Sequence, residues 1–204
     1  MPDFDIEKGL LLNGCKYVAG IDEAGRGSLA GPLSVSMVVF PEDLIVDTPD
    51  DFKCINDSKK LTSACRDKVF DFIKSHAISY GHIFIDHQTI DSINVNQATR
   101  LAIQKLIEKS DLKPDYLLID GNFSFKFEIP SLSVKKGDSK SFSIAAASIV
   151  AKVIRDREML QLSSTFSSYG FDRNMGYGTK EHMEALRMHG ASPIHRISYA
   201  PCRK

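Results

Sequence analysis

The 204-residue sequence has no tryptophan, no net charge and only four cysteines. Cys15, Cys54, Cys65 and Cys202 show no CxxC spacing, which argues against a zinc or dithiol site and for reduced thiols in a cytoplasmic protein. No apolar run approaches the roughly 18 residues of a membrane span. The first residues, Met1-Pro2-Asp3-Phe4-Asp5-Ile6-Glu7, are acidic and lack the basic and apolar regions of a signal peptide. His182, His189 and His195 have no metal-ligand spacing and are expected at the surface or the core edge, with Lys180 and His182 as candidates to line a nucleic-acid path. Repeats, low-complexity tracts and linkers are also missing. The expectation is one domain over residues 1–204, helical from about residue 161 onward.

What is present is unevenly distributed. Residues 1–134 carry 14 Lys+Arg against 20 Asp+Glu, and residues 135–204 carry 12 against 6. A basic C-terminal third beside acidic residues suits an anionic polymer bound next to a metal site.

Hydrophobic patterning predicts strands at Tyr17–Ile21 and Leu33–Phe40, with Gly31-Pro32 between them as the turn of a hairpin. Residues 41–57 read as a loop, and Thr62 as the N-cap of a helix with Val69, Phe72 and Ile73 on one face. Further strands are expected over 77–85, 116–120 and 130–134, with a helix over 94–109 between the first two. The longest helical pattern runs from about Asp138 to Leu160, and its Ala145-Ala146-Ala147-Ser148 cluster allows close packing. A polar loop over 163–178 follows, then a last helix capped by Thr179 and ended by Gly190. This order predicts an α/β domain around one mixed sheet.

The chemistry concentrates in Gly20-Ile21-Asp22-Glu23-Ala24-Gly25-Arg26-Gly27. Two adjacent carboxylates end an apolar run, and burying unpaired carboxylates costs several kcal/mol, about enough to demand cations. Asp120 ends a second apolar strand and Asp138 follows a third. If those strands run parallel, Asp22, Glu23, Asp120 and Asp138 gather at one sheet edge. Oxygen-only ligands favour Mg²⁺ or Mn²⁺ over zinc. Two such ions roughly 3.5–4 Å apart would activate water and stabilise the leaving oxygen of a phosphodiester. Asp156 lies 18 residues beyond Asp138 on the same expected helix, so roughly 27 Å away, and reads instead as an ion pair with neighbouring arginines. Gly25-Arg26-Gly27 offers backbone N–H groups for close approach to a ligand. Ser58 and Lys59, with Lys60, are candidate phosphate contacts, and Tyr177, mounted between two glycines, is a ring able to stack on a sugar or base.

These segments together resemble the bacterial type 2 ribonucleases H. The resemblance rests on residues 19–27 with Ala30-Gly31-Pro32, Asn56-Asp57-Ser58-Lys59-Lys60-Leu61, Leu118-Ile119-Asp120-Gly121-Asn122 and Lys136-Gly137-Asp138-Ser139. It continues through residues 144–153, Arg155-Asp156-Arg157, residues 176–182 and Ser192-Pro193-Ile194-His195-Arg196, so that it spans about residues 17–201. It implies a ribonuclease-H-like fold, a five-stranded mixed sheet flanked by helices. It implies two divalent ions, Mg²⁺ or Mn²⁺, on Asp22, Glu23, Asp120 and Asp138. Gly25, Arg26 and Gly27 would read the ribose 2′-hydroxyl, which separates RNA from DNA. Ser58 and Lys59 would touch phosphate, and Tyr177 would stack on the following sugar and favour deoxyribose. The implied substrates are RNA/DNA hybrids and duplex DNA containing ribonucleotides, cut on the 5′ side of a ribonucleotide to leave 3′-hydroxyl and 5′-phosphate ends. The implied settings are ribonucleotide excision repair and RNA primer removal.

An additional N-terminal substrate-binding domain is not expected from the 16 residues before the first strand, and no sliding-clamp motif is visible at the C-terminal end. A monomer is the default expectation. The alternatives are a resolvase-like or transposase-like nuclease on the same fold and a non-catalytic nucleic-acid-binding protein that retains the scaffold.

Overall fold

A computed structural model of the protein describes residues 1–55 and 62–203. Helix α1 (Asp5–Leu12) precedes strands β1 (Val18–Ala24) and β2 (Leu33–Val39), which pair antiparallel. A short helix α2 (Glu42–Val46) and a 3₁₀ turn (Asp50–Cys54) occupy the stretch expected to be loop. Helix α3 (Ser63–His76), strand β3 (Ser79–Ile85), helix α4 (His87–Lys109) and strands β4 (Tyr116–Asp120) and β5 (Ser131–Val134) follow. The C-terminal third contains helices α5 (Phe142–Thr165), α6 (Phe171–Asn174) and α7 (Lys180–His189). The sheet order is β3-β2-β1-β4-β5, with β2 antiparallel to β1 and β3, and β4 parallel to both β1 and β5.

The two-residue period of the strands divides the core. Ala19 and Ile21 of β1, with Val35, Met37 and Val39 of β2, pack against Ala98, Ala102, Ile103 and Leu106 of α4. The opposite face is covered by α5, whose Ala145, Ala146 and Ala147 are fully buried. That face needs small residues. A Cβ built on Gly20 would lie 2.1 Å from the carbonyl carbon of Ser143, so strand and helix are in backbone contact there.

Several element boundaries differ from expectation for local reasons. Helix α4 begins at His87, capped by Asp86, whose Oδ1 accepts from the Thr89 N–H at 2.7 Å. Asn94, where a helix was expected to start, has φ 65° inside α4, and its Oδ1 accepts from the N–H groups of Asn96 and Gln97. It restarts the helix after a kink, so the sequence signal at Asn94 was a real cap inside a longer element. Asp138 does not open the long helix. It sits in a 3₁₀ turn (Gly137–Ser139), and α5 starts after Ser141, whose Oγ accepts from the Ile144 N–H. Glu7 of α1 completes that end: its Oε1 accepts from the Ser141 hydroxyl at 2.6 Å and the Ser143 N–H at 3.1 Å. A carboxylate at a helix N-terminus is favoured by the helix dipole.

Candidate active site

Because β1, β4 and β5 are parallel, the C-terminal ends of β1 and β4 deliver Asp22 and Asp120 to one edge of the sheet. A cavity of about 450 Å³ opens there, lined by Asp22, Glu23 and Asp120, by the Gly25-Arg26-Gly27 turn, and by Ser148, Lys152 and Tyr177. Asp22 is 6% exposed. Burial first, then the charges of Glu23 and Asp120, raise its pKa well above the ordinary carboxylate value, against opposing hydrogen bonds from Ser148 and from the Glu23 N–H at 2.7 Å. Asp120 Oδ1 accepts from the Gly137 N–H at 2.6 Å, which ties the β4 end to the turn carrying Asp138. Asp138 is buried beside that contact and is not among the residues that line the cavity. Among the described residues, no three Asp, Glu, His or Cys side chains are drawn together as a finished metal site.

The glycine-flanked turn leaves β1 at Gly25, where φ is 87° and a Cβ would fall 1.9 Å from Arg155 Nε. Both features exclude a side chain. The Gly25 N–H donates to the Tyr177 hydroxyl at 3.2 Å. The Arg26 carbonyl accepts from Arg196 Nη1 at 3.0 Å and from the Tyr199 hydroxyl at 2.8 Å. Its guanidinium lies over the Phe123 ring at 5.0 Å, 3.7 Å from Glu23, and donates to Asn96 and Thr99 of α4. Arg26 and Glu23 also border an adjoining groove of about 870 Å³, where Arg100 and Lys126 add positive charge.

Arg155 is the element that sequence reasoning missed. It is fully buried and donates to the carbonyls of Pro32 (2.9 Å), Met175 (2.9 Å) and Ala30 (3.2 Å). One side chain thus fastens the β1–β2 connection to the loop bearing Tyr177, whose ring lies 5.4 Å from its guanidinium. Lys152 and Ser148, one turn apart on α5, are further cavity residues. Their four-residue spacing on the helix carrying the alanine cluster was the available signal.

Three other expectations are corrected or left aside. Asp156 pairs with Lys152 at 2.8 Å and Arg66 at 3.7 Å, whereas Arg157 pairs with Asp67 and Arg155 turns inward. His182 and His195 are buried rather than at the surface or the core edge. Ser58 and Lys59 lie outside the described residues.

A mixed β3-β2-β1-β4-β5 sheet with acidic residues at its parallel strand ends is the ground plan of a ribonuclease-H-like phosphodiester hydrolase. Known proteins bear this out. The family model for ribonuclease HII matches residues 19–202. A ribonuclease HII of Bacillus mycoides is 47% identical over 197 residues, covering 97% of this chain and 74% of that protein. The ribonuclease H2 of Pyrococcus horikoshii superposes with a TM-score of 0.78 at 28% identity, covering 92% of this chain and 95% of that one. Bst-RNase HIII, solved in complex with Mn²⁺, shares the fold at a TM-score of 0.68 and 18% identity, covering 92% and 68%. The chain belongs to the ribonuclease HII family. It is a ribonuclease H, a divalent-metal-dependent endonuclease acting on RNA/DNA hybrids. Among the described residues, no helix is long and apolar enough to cross a membrane.

Proposed function

We propose that this ribonuclease H also incises duplex DNA at embedded ribonucleotides, on the 5′ side, leaving 3′-hydroxyl and 5′-phosphate ends. The observation that carries this reading is the direct contact between the two groups suited to reading sugars: the Gly25 N–H donates to the Tyr177 hydroxyl beside Asp22 and Asp120. A turn that approaches a 2′-hydroxyl and a ring that stacks on the next sugar are thereby locked at a fixed spacing. Such a pair reads one ribonucleotide and its 3′ neighbour rather than a long hybrid.

Asp22, Glu23, Asp120 and Asp138 would hold two divalent ions, Mg²⁺ or Mn²⁺, as the Mn²⁺ complex of Bst-RNase HIII makes reasonable for this fold. The donor set fits. Burial first, and then its carboxylate neighbours Glu23 and Asp120, push the Asp22 pKa up, and cations between such groups relieve both the lost solvation and the repulsion. When bound, the ions would supply Lewis-acid stabilisation of the phosphate and of its leaving oxygen. The rest falls to the chain itself. Gly25 and Gly27 expose backbone at the ribose, Arg26 places positive charge beside it, and Tyr177 excludes water from the following sugar. Ser58 and Lys59 are assigned to a flanking phosphate by the family resemblance. Roles in ribonucleotide excision repair and primer removal follow from this cleavage, carried out by a cytoplasmic monomer with one catalytic domain over residues 1–204.

Cleavage of duplex DNA with one ribonucleotide, beside an all-DNA control, tests the proposal in Mg²⁺ and in Mn²⁺. A single nick 5′ to the ribonucleotide is expected. Cleavage confined to long hybrids would reject it.

A further inference from the structure

Beneath Tyr177 lies a buried pair of imidazoles that the site chemistry does not use. His182 Nε2 and His195 Nε2 are 2.9 Å apart. His182 Nδ1 is 3.0 Å from the Tyr177 carbonyl. His195 Nδ1 accepts from the Ser192 N–H at 2.9 Å, with the Ser192 hydroxyl at 2.7 Å. Both rings are fully enclosed, with exposures of 0% and 1%, among Tyr169 and Phe171.

The end groups fix every proton in this chain. A carbonyl only accepts, so His182 carries its proton on Nδ1. A backbone N–H only donates, so His195 Nδ1 is bare and its proton sits on Nε2. His195 Nε2–H then donates to the bare Nε2 of His182. The result is a one-way relay, Ser192 N–H to His195 to His182 to the Tyr177 carbonyl, with two neutral rings in opposite tautomers. A second proton on either ring would set N–H against N–H.

We propose that His182 and His195 are positioning residues for Tyr177, fixing its backbone so that the ring meets the sugar 3′ of the ribonucleotide and sets the preference for deoxyribose there. This rests on the reading of Tyr177 given above. The Thr179 N–H also reaches the Tyr177 carbonyl, at 2.8 Å, but it belongs to the same short loop. The imidazole pair instead anchors the carbonyl to the distant 192–195 turn, which also carries the adjacent Arg196 into contact with the Arg26 carbonyl. Residues 177 and 26 are therefore held by one buried element from both sides of the cavity. Burial holds both rings below the usual histidine range, in keeping with neutral partners. The other titratable groups facing the pair are His87, Tyr169 and, across Tyr169, His189.

Two measurements test the inference. Long-range ¹H–¹⁵N correlation of the histidine rings at pH 7 is expected to show His182 as the Nδ1–H tautomer and His195 as the Nε2–H tautomer. An imidazolium at either position, or His182 as Nε2–H, overturns the relay. The second measurement is the ratio of cleavage rates on a single-ribonucleotide duplex and an all-RNA hybrid, for His182→Leu, His182→Asn and Tyr177→Ala, each checked for folding by circular dichroism. Asparagine keeps a donor near the Nδ1 position and leucine does not. His182→Leu should lower the ratio about fivefold, the worth of roughly one hydrogen bond, while His182→Asn stays within about twofold of wild type. A ratio lowered in Tyr177→Ala but unchanged in folded His182→Leu rejects the positioning role and leaves the tyrosine reading intact. An unchanged ratio in Tyr177→Ala rejects the tyrosine reading and the inference with it. If His182→Leu does not fold, the wild-type tautomers and the His182→Asn ratio decide together: tautomers as assigned in the wild-type protein with a ratio in His182→Asn within about twofold of wild type support the role, and a lowered ratio with the Tyr177 carbonyl contact retained overturns it.

Discussion

The backbone N–H of Gly25 and the phenol of Tyr177 meet at 3.2 Å across 152 residues of sequence. Neither group is free to shift without the other. Tyr177→Phe removes the acceptor from the Gly25 N–H while keeping the ring. It should lower kcat/KM on a single-ribonucleotide duplex about three- to tenfold, the value of one hydrogen bond at a site of this kind. Tyr177→Ala should in addition erase the preference for an RNA–DNA junction. Parallel steady-state measurements on junction and all-RNA substrates check both, and an equal effect of Phe and Ala would mean that the ring itself contributes nothing.

Asp22 sits where function and stability conflict. Its pKa is raised by burial and by Glu23 and Asp120, so the folded state holds a proton that the unfolded chain releases. Stability from this group is present at low pH and falls as pH rises above the ordinary value of 3.8 through the raised one. Asp22→Asn removes that loss. Turnover should vanish, and Tm measured without divalent ions should increase, by an amount that grows as pH rises above 3.8. Near-wild-type turnover in Asp22→Asn, or in the matching Asp120→Asn, would remove these carboxylates from the active site.

The imidazole pair has the opposite dependence. The His195 pKa is held down to about 4 by burial and by His182, against an ordinary value of 6.5. Above pH 6.5 neither state is protonated and stability is unaffected. Between pH 6.5 and about 4 the unfolded chain gains a proton that the folded one refuses, so stability declines by up to about 1.4 kcal/mol per pH unit from this residue. Urea denaturation from pH 7.5 to 4.5 should show that slope, and it should flatten in a folded His195→Gln variant.

Arg155 offers a sharper test of architecture. Its guanidinium serves three carbonyls, that of Ala30 buried and those of Pro32 and Met175 partly so, and truncation removes the donor from each. Arg155→Met should destabilise the protein by about 3–5 kcal/mol. Arg155→Lys should recover only part, because an ammonium cannot span three acceptors in the plane of a guanidinium. Chemical denaturation of both variants measures the difference.

How much of this was legible in the residues depends on the range of the interaction. Strand β4, the β1–β2 hairpin and the Thr62 and Thr179 caps are local and were readable, and the parallel alignment expected of Asp22 and Asp120 is what the sheet shows. Helix α1 was not, since Phe4 gives it no capping hydrogen bond and its fixed point is Glu7 on the start of α5, 134 residues away. Arg155 read as a surface charge beside Asp156 for the same reason. Its three acceptors are carbonyls from distant turns, and no side-chain pattern announces a carbonyl. The burial of His182 and His195 was hidden likewise, because each ring's partner is the other.

The Gly25 turn has a consequence for the timing of synthesis. Its neighbours are supplied by Arg155, Tyr177, Arg196 and Tyr199, all encoded in the last quarter of the chain. A ribosome emits residues in order, N-terminus first. The carboxylate end of β1 therefore emerges early, while the groups that shape the adjoining turn emerge last. The nascent chain therefore lacks the partners that shape this turn until Tyr199 has emerged and is free to dock.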